Sequence, residues 1–550
     1  SAWTSGGGAV WLKVGNTATI NGTITARPSS DLAQGSGGSI FIEAGSLAGS
    51  GTLDASCPYY GSPSWQAGGG GGRIAVVLDS GTTFGSVKMY AYGGRTLYGW
   101  WGAAGTIYRQ KGGQPAGRGI LTIDNNAQDT LARTMMPSSA TGLDILTAMI
   151  VTNKGVVGLT AQTPLNLGTG TNIFTYGPAQ STIAVTCTTN LGLSGSCFFR
   201  KYTLNVYTNL SVLGNLTISN AVVTMFSGMP SNVSVSGDIN IKTNGVLSHG
   251  PNGGTELYKL RMAVAGNLMI HTGGSINVDQ KGYSAGQGPG AGSPANANGQ
   301  PAASHGGLGG DAYSPTYGSC LSPTNSGSSA HNTGGGTVVA SVGGTTTVDG
   351  VISARPGTSL AQGTGGSIFL TTGYLSGSGR MDASCPWNSW IQRGGVGGRI
   401  AVILTGGTDF GSVNMYVYGG QSQDSISGGA GTVYRQTARQ RGGLGELTVD
   451  NSTITAPTNI TTQLPPLVKT PPLELKYATL VVTNRGNVEL TGDAMMGDLY
   501  VTGDLSRLHL KGHILLLRAA YHPDWGASNR VDYAGGQIIW TVPGTRIVVQ

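Results

Sequence analysis

One long stretch of this chain occurs twice, and a duplicated unit limits the possible folds more than any other feature. Residues 6–125 run GGGAVWLKVGNTATINGTITARPSSDLAQGSGGSIFI, then LAGSGTLDASCP, GGRIAVVL, FGSVKMYAYGG, AGTIYRQ and LTIDN. Residues 334–451 repeat the same order with GTGGSIFL, LSGSGRMDASCP, GGRIAVIL, FGSVNMYVYGG, AGTVYRQ and LTVDN. Arg27 answers Arg355, Cys57 answers Cys385, Arg73 answers Arg399 and Tyr108 answers Tyr434. The likeness continues past these ends, because MIVTNKGVVGLT around Asn153 matches LVVTNRGNVELT around Asn484. A repeated unit of this kind is one that buries its apolar face against its neighbours.

Within each copy, runs such as Arg73-Ile-Ala-Val-Val-Leu78 are short, rich in β-branched residues and bounded by glycine. That is a strand signal, and no stretch holds an apolar 3.6-residue period over helical length. A finer phrase recurs in Val212-Leu-Gly-Asn-Leu-Thr-Ile, Val235-Ser-Gly-Asp-Ile-Asn-Ile, Val264-Ala-Gly-Asn-Leu-Met-Ile and Val501-Thr-Gly-Asp-Leu. Glycine followed by Asn or Asp is turn chemistry, since both tolerate positive φ. Strand, sharp corner and strand at this spacing predict an all-β fold, a parallel β-helix with an internal duplication and glycine-rich insertions. At roughly 4.8 Å per coil, about 18 coils predict a rod on the order of 90 Å long.

The predicted organisation is a first repeat at 1–125, plain coils at 126–282, a Gly/Ser/Pro-rich insertion at 283–335, a second repeat at 336–450 and C-terminal coils with terminal strands at 451–550. The opening at SAWTSGGG reads as a mature chain whose leader has been removed. The chain enters as strand at Gly6 and leaves as strand at Ile547-Val-Val, with no amphipathic cap in either segment. Uncapped solenoid ends invite head-to-tail addition, and a heterologous contact that does not close gives a filament.

Only 10% of the 550 residues are charged, well under half the usual fraction, while 95 are glycine. A surface of Ser, Thr, Asn, Gly and aromatic residues suits a protein packed into an assembly, coated with sugar, or both. The net charge of +7 is scattered without a basic run, which speaks against a nucleic-acid or polybasic membrane surface. His513-Ile-Leu-Leu-Leu-Leu-Arg is far too short an apolar run to span a bilayer.

Five cysteines are present. Cys187 and Cys197 flank a short loop and form one candidate disulfide; Cys320 and Cys385 form a second. Cys57 is left over, as a free buried thiol or as a bond to another chain. Six sequons, at Asn21, Asn209, Asn215, Asn232, Asn451 and Asn459, are glycosylation candidates. Tyr59, Tyr60, Trp65, Trp100 and Trp101 lie on glycine-rich excursions of the first repeat and are candidates to meet a sugar ring or a neighbouring subunit, as are Trp540 and Val549 in the last strands. Gly306-Gly-Leu-Gly-Gly-Asp311 matches one copy of a calcium nonapeptide phrase whose chemistry needs a tandem array. Neither a metal site nor a cofactor is expected.

A polysaccharide lyase or hydrolase would need paired acids or an acid with a basic partner. The repeated candidates are Asp54 with Arg73 and Asp382 with Arg399, and their duplication favours a structural turn acid and a coil-edge arginine. No nucleophile elbow, phosphate loop or metalloprotease motif is present.

The order GTGGSIFL, LSGSG, DASCP, GGRIAV, FGSV, YGG, AGTVYRQ and LTVDN resembles the large glycine-rich β-helix proteins of bacterial surfaces, the pectin-lyase-like adhesin and surface-structure group. The resemblance covers most of residues 6–125 and 265–451. It implies export and an extracellular or cell-surface role, and supplies no catalytic residues to carry over. The expectation is a secreted structural protein whose subunits assemble head to tail into a filament or surface layer. The alternatives are a carbohydrate-binding adhesin acting as a monomeric rod and, behind it, a polysaccharide-degrading enzyme. The expected partners are copies of the chain itself and glycans, not nucleic acid or a membrane.

Overall fold

The computed structural model describes residues 5–29, 35–57, 59–60, 68–96, 101–128, 130, 132–136, 146, 148–159, 172–174, 181–185, 191–193, 197–200, 202–228, 231–292, 302–310, 314–357, 363–385, 393–421, 426–464, 474–526, 528–542 and 545–549. Among these the chain is all-β, with mostly parallel sheets and two single helical turns at Pro523–Trp525 and Ser528–Arg530. It packs as two compact units. The first is Ser1–Met229 with Ser234–Ile239 and Asn244–Val246; the second is Pro230–Val233, Asn240–Thr243 and Leu247–Gln550.

In the first unit, strands Ala9–Thr19, Ser39–Ala48, Arg73–Leu78 and Thr106–Gln110 stack in a parallel ladder. The register lines up Val10, Ile40, Ile74 and Ile107, one β-branched residue per strand. The next inward line is Leu12, Ile42 and Val76, of which Ile42 and Val76 are fully buried. Each fully buried aliphatic side chain contributes about 1.5–3 kcal/mol. After a corner the chain forms a second ladder of Thr23–Thr25, Thr52–Asp54 and Lys88–Tyr90, with Ile24, Leu53 and Met89 in line. The corner at Gly49 has φ +101°, and a Cβ there would lie 2.1 Å from the Ile20 carbonyl oxygen.

The second unit repeats this arrangement. Thr337–Val348, Ser367–Ser376, Arg399–Leu404 and Thr432–Gln436 form the first ladder; Val351–Ser353, Arg380–Asp382 and Asn414–Tyr416 belong to the second. The opening strands even share a register irregularity, between Val14 and Thr17 in one copy and Val342 and Thr345 in the other. Here the Thr337 strand is also paired on its opposite edge, by Leu260–Val264 and Leu268–Ile270.

Glycines just before the ladder strands explain the recurring GGS, GGR and AGT phrases. A Cβ on Gly38 would sit 1.9 Å from the Gly8 oxygen, on Gly72 2.1 Å from the Gly38 oxygen, and on Gly105 1.7 Å from the Gly72 oxygen. Gly366, Gly398 and Gly431 repeat the series at 1.9, 2.0 and 1.8 Å. The successive backbones touch, and no side chain fits between them.

The ladders are not parallel throughout. Thr106–Gln110 pairs antiparallel with Ile120–Asp124, Thr432–Gln436 with Glu446–Asp450, and Gln537–Val542 with Thr545–Val549. In the repeats a tyrosine locks the hairpin: the Tyr108 hydroxyl donates to Gln110 Oε1 at 2.7 Å and accepts from the Gly119 amide at 3.0 Å. Tyr434, Gln436 and Gly445 reproduce this at 2.8 and 3.0 Å. The last hairpin means that the final strand folds back along its predecessor, a feature that the uniform parallel pattern expected from the sequence does not contain.

The Gly/Ser/Pro-rich insertion also differs from a surface loop in its described part. Ala302, Ala303, Ser304, His305, Cys320, Ser326, Ser328, Ser329 and Ala330 are all buried. Small residues let backbone meet backbone: the Gly306 amide donates to Gly397, the Gly310 amide to Gly394, and the Leu308 amide to Thr461.

Replacing Gly431 by Ala is expected to destabilise the second unit by about 3 kcal/mol or more, because the displaced neighbour is backbone. Gly442, around which nothing lies within 4 Å, should accept Ala with a change of about 0.5 kcal/mol or less. Parallel urea denaturation of the two variants checks this.

Candidate functional site

The strand starts of each repeat form a polar column whose surroundings differ between the copies. In the second repeat, Thr337, Ser367, Arg399 and Thr432 are register partners and are all at most 1% exposed. The insertion covers them. Arg399 Nε donates to the Tyr317 oxygen at 3.0 Å, and Nη1 to Cys320 Sγ at 2.9 Å and Thr432 Oγ1 at 3.1 Å. The Ser367 hydroxyl donates to the Asn325 oxygen at 2.5 Å, and the Thr337 hydroxyl bonds with that of Ser326 at 2.9 Å. In the first repeat the column is Ala9, Ser39, Arg73 and Thr106. Its first three members are exposed and Thr106 is half-buried.

Two buried histidines lie along the covered column. His305 donates from Nδ1 to the Gly365 oxygen at 2.7 Å and stacks on Tyr317 with ring centres 4.6 Å apart. His249 donates from Nδ1 to the Gly250 oxygen at 2.7 Å, and its Nε2 accepts the Thr337 amide at 3.0 Å. Burial, and for His305 the neighbouring Arg399, lowers the pKa to about 3; burial, with Lys281 and Lys259, lowers that of His249 to about 4. Neither residue stands out in the sequence, where the seven histidines are scattered.

The paired acids and arginines are arranged differently from the sequence expectation. Asp54 Oδ1 accepts the Ser56 amide at 2.9 Å and its hydroxyl at 2.5 Å, and Oδ2 faces Arg27 at 3.7 Å. Asp382 binds Ser384 in the same way and faces Arg355 at 3.7 Å and Arg380 at 3.9 Å. The partners are therefore Arg27 and Arg355, not Arg73 and Arg399. The Asp-Ala-Ser sequence closes a local turn with each carboxylate. Arg399 is a buried tie between ladder and insertion rather than an edge residue.

The expected Cys320–Cys385 disulfide is absent. Cys320 points at Arg399, whereas Cys385 Sγ faces the Gly363 oxygen at 3.7 Å, so the two thiols serve different packing sites. Cys57 occupies the equivalent site, its Sγ 3.4 Å from the Gly35 oxygen. A Cβ on Gly94 would lie 2.6 Å from Cys57 Sγ, and one on Gly420 2.9 Å from Cys385 Sγ. The cysteine of DASCP is thus a buried filler beneath a glycine segment. Burial raises the pKa of all three thiols, that of Cys385 to about 12. Cys187 lies outside the described residues, as does the side chain of Cys197.

The sequons divide by burial. Asn21, Asn215 and Asn459 are exposed, and Asn209 is half-buried. Asn232 and Asn451 are 0% and 1% exposed and are not accessible to a glycan in this fold. Asn232 binds the Lys259 oxygen and the Arg261 amide, at 2.6 and 2.9 Å. Asn451 accepts the Gly419 amide and donates to the Ile454 oxygen, each at 2.9 Å; Asn125 repeats this role with Gly93 and Gln128.

Of the aromatic candidates, Tyr59 is 59% exposed and Trp101 half-buried, and Arg95 lies over both rings, 5.4 and 5.3 Å from their centres. The structure thus brings together Tyr59 and Trp101 through an arginine that the sequence did not single out. Trp65 and Trp100 lie outside the described residues, as do the side chains of Tyr60 and Val549. Trp540 is 1% exposed and packs on His522 and Trp525, which makes it a core residue rather than a contact surface. In the single calcium-like phrase, Asp311 lies outside the described residues, and the glycine amides at 306 and 310 bind neighbouring backbone. Among the described residues no group of three or more His, Cys, Asp or Glu is placed to hold a metal, and no helix is long and apolar enough to cross a membrane.

No family model, curated protein or solved structure matches this chain.

Two outcomes follow from the buried groups. Cys57, Cys320 and Cys385 should resist a soluble alkylating agent in the folded protein and react in denaturant, read by mass spectrometry of peptides. Because the histidine pKa values are depressed by folding, the unfolded chain binds protons first. The histidine contribution to stability should be constant above pH 6.5 and fall as the pH drops toward 4 and then 3, each imidazole adding a slope approaching about 1.4 kcal/mol per pH unit. Urea midpoints across pH 7.5 to 4 measure the loss, and His305→Gln should reduce the slope.

Proposed function

We propose that this protein is a secreted structural subunit, a parallel β-helix that assembles with copies of itself into an extracellular filament or surface layer. The observation that carries the reading is the low charge fraction of 10%, because little like-charge repulsion opposes close association of copies. The stacked parallel ladders, with aliphatic residues in line and glycine corners between two ladder directions, support the β-helix architecture.

A second reading, carbohydrate binding by a monomeric rod, is favoured by the Tyr59–Arg95–Trp101 stack. Arginine held over aromatic faces orders a partly exposed platform against which a sugar ring can lie. The enzyme reading ranks last. The Asp54 and Asp382 carboxylates close local turns, and polysaccharide turnover, if any is found, should be unchanged in the Asp54→Ala/Asp382→Ala variant.

Electron microscopy of the native protein without reductant tests the first reading against the second. Long fibres or sheets support self-assembly. Single short particles at high concentration sink it, and glycan binding that falls about tenfold or more in Tyr59→Ala/Trp101→Ala would then favour the adhesin.

A further inference from the structure

Each repeat carries a pair of tyrosines on the outward face of its second ladder. The Tyr90 and Tyr92 rings have centres 5.3 Å apart and planes tilted by 35°, and Tyr416 and Tyr418 reproduce both values. All four residues are half-buried.

Fixed carboxylates flank the rings. The register places Asp54 beside Tyr90 and Asp382 beside Tyr416. Asp54 Oδ1 is tied to Ser56 while Oδ2 faces Arg27, and Asp382 stands likewise between Ser384 and Arg355. A second carboxylate acts on the other ring of each pair. Asp124 Oδ1 accepts the Asn126 amide at 2.7 Å and Asn153 Nδ2 at 3.1 Å. Asp450 accepts the Ser452 amide at 2.6 Å and Asn484 Nδ2 at 2.9 Å. Burial, and then the Asp124 charge, raises the pKa of Tyr92; burial, and then Asp450, raises that of Tyr418 to about 12. Both phenols therefore stay neutral and can donate as well as accept at neutral pH.

Neighbouring outward positions have not been kept between the copies. The register line two residues before the Asp–Tyr pair is Thr23, Thr52 and Lys88 in one repeat and Val351, Arg380 and Asn414 in the other. On the first ladder, the ion pair of Lys13 with Glu43 is replaced by Ser341 beside Thr371. Within the strip, Arg27, Asp54, Tyr90, Tyr92 and Asp124 all recur unchanged, as Arg355, Asp382, Tyr416, Tyr418 and Asp450. Turn closure accounts for the aspartates. It does not account for the tyrosines, because a ladder that accepts Lys88 or Asn414 two residues earlier sets no demand for an aromatic ring at the next outward place.

We propose that this strip is a binding site for a neutral saccharide, present once in each repeat, with the tyrosine pair against the C–H face of a sugar ring and the flanking aspartates accepting its hydroxyls. Aromatic faces supply the apolar contact, and hydrogen bonds to ionised carboxylates are the stronger kind. Arg27 and Arg355 already face their aspartates, so an anionic ligand would meet two carboxylates and a shared cation. The rings stand at strand ends and are placed before the ligand arrives, so little ordering opposes binding. The site needs neither self-assembly nor the Tyr59–Arg95–Trp101 stack.

The full chain is screened on an array of neutral glucans, mannans, galactans and xylans, with heparin as the anionic control, and an oligosaccharide of the tightest neutral binder is titrated by calorimetry. The wild type should take two equivalents per chain. Tyr90→Ala/Tyr92→Ala and Tyr416→Ala/Tyr418→Ala should each leave one, the fourfold variant should bind about tenfold or more weakly, and Lys88→Ala/Asn414→Ala should bind like the wild type. Should the tyrosine variants melt lower than the wild type, hydroxyl-radical footprinting of the wild-type chain decides. The oligosaccharide should then protect residues 90, 92, 416 and 418 but not Trp11 or Tyr374, which are 75% and 56% exposed. Undiminished binding in a well-folded fourfold variant, unprotected tyrosines, or retention on heparin alone overturns the site. Binding lost in Tyr59→Ala/Trp101→Ala and kept in the fourfold variant overturns it too and assigns the saccharide to the Tyr59 stack. A chain that binds no neutral glycan overturns the site and leaves self-assembly standing.

Discussion

Direct contact between successive backbones at the strand starts is the constraint on which the rest of this structure depends. Gly38, Gly72 and Gly105, and again Gly366, Gly398 and Gly431, lie so close to the carbonyls before the preceding strand that a methyl group would overlap them. With the backbones fixed there, the register cannot slip by a residue without turning every inward side chain outward. The lines Val10–Ile40–Ile74–Ile107 and Val338–Ile368–Ile400–Val433 follow from that fixed start. Packing then supplies the stability and glycine supplies the geometry.

The same closeness decides the fate of the chemically active side chains. Thiols that could have been redox groups fill the space beneath glycine segments. Carboxylates that could have been general acids close turns with the serine two residues on. Asn125 and Asn451 bridge otherwise separate turn segments. In each of these places a reactive group is tied into local packing or a turn.

Duplication provides an internal comparison that a single repeat would not. The second repeat has its polar column sealed by the insertion and its opening strand paired on both edges. The first repeat has the equivalent column exposed and one edge without a partner among the described residues. Arg399 and Arg73 hold the same place in the same ladder, yet one is buried among Tyr317, Cys320 and Thr432 and the other faces solvent. Identical local sequence thus yields two environments, and what covers each copy makes the difference.

Sequence alone determined the all-β class, the duplication, the strand and corner positions and the structural character of Asp54 and Asp382, because glycine punctuation and period-two alternation are local properties. It also set the turn at Asn153-Lys154 and its twin at Asn484-Arg485, where both residues of each pair have positive φ. Only the tertiary structure decided which arginine meets which aspartate, that Cys320 and Cys385 lie apart, that Asn232, Asn451 and Trp540 are buried, and that the described part of the insertion is packed against other backbone. Each of these depends on residues tens of positions away converging at one place. A composition of Gly, Ser and Pro reads as loop whether its backbone meets water or another backbone, and only the fold supplies the second backbone.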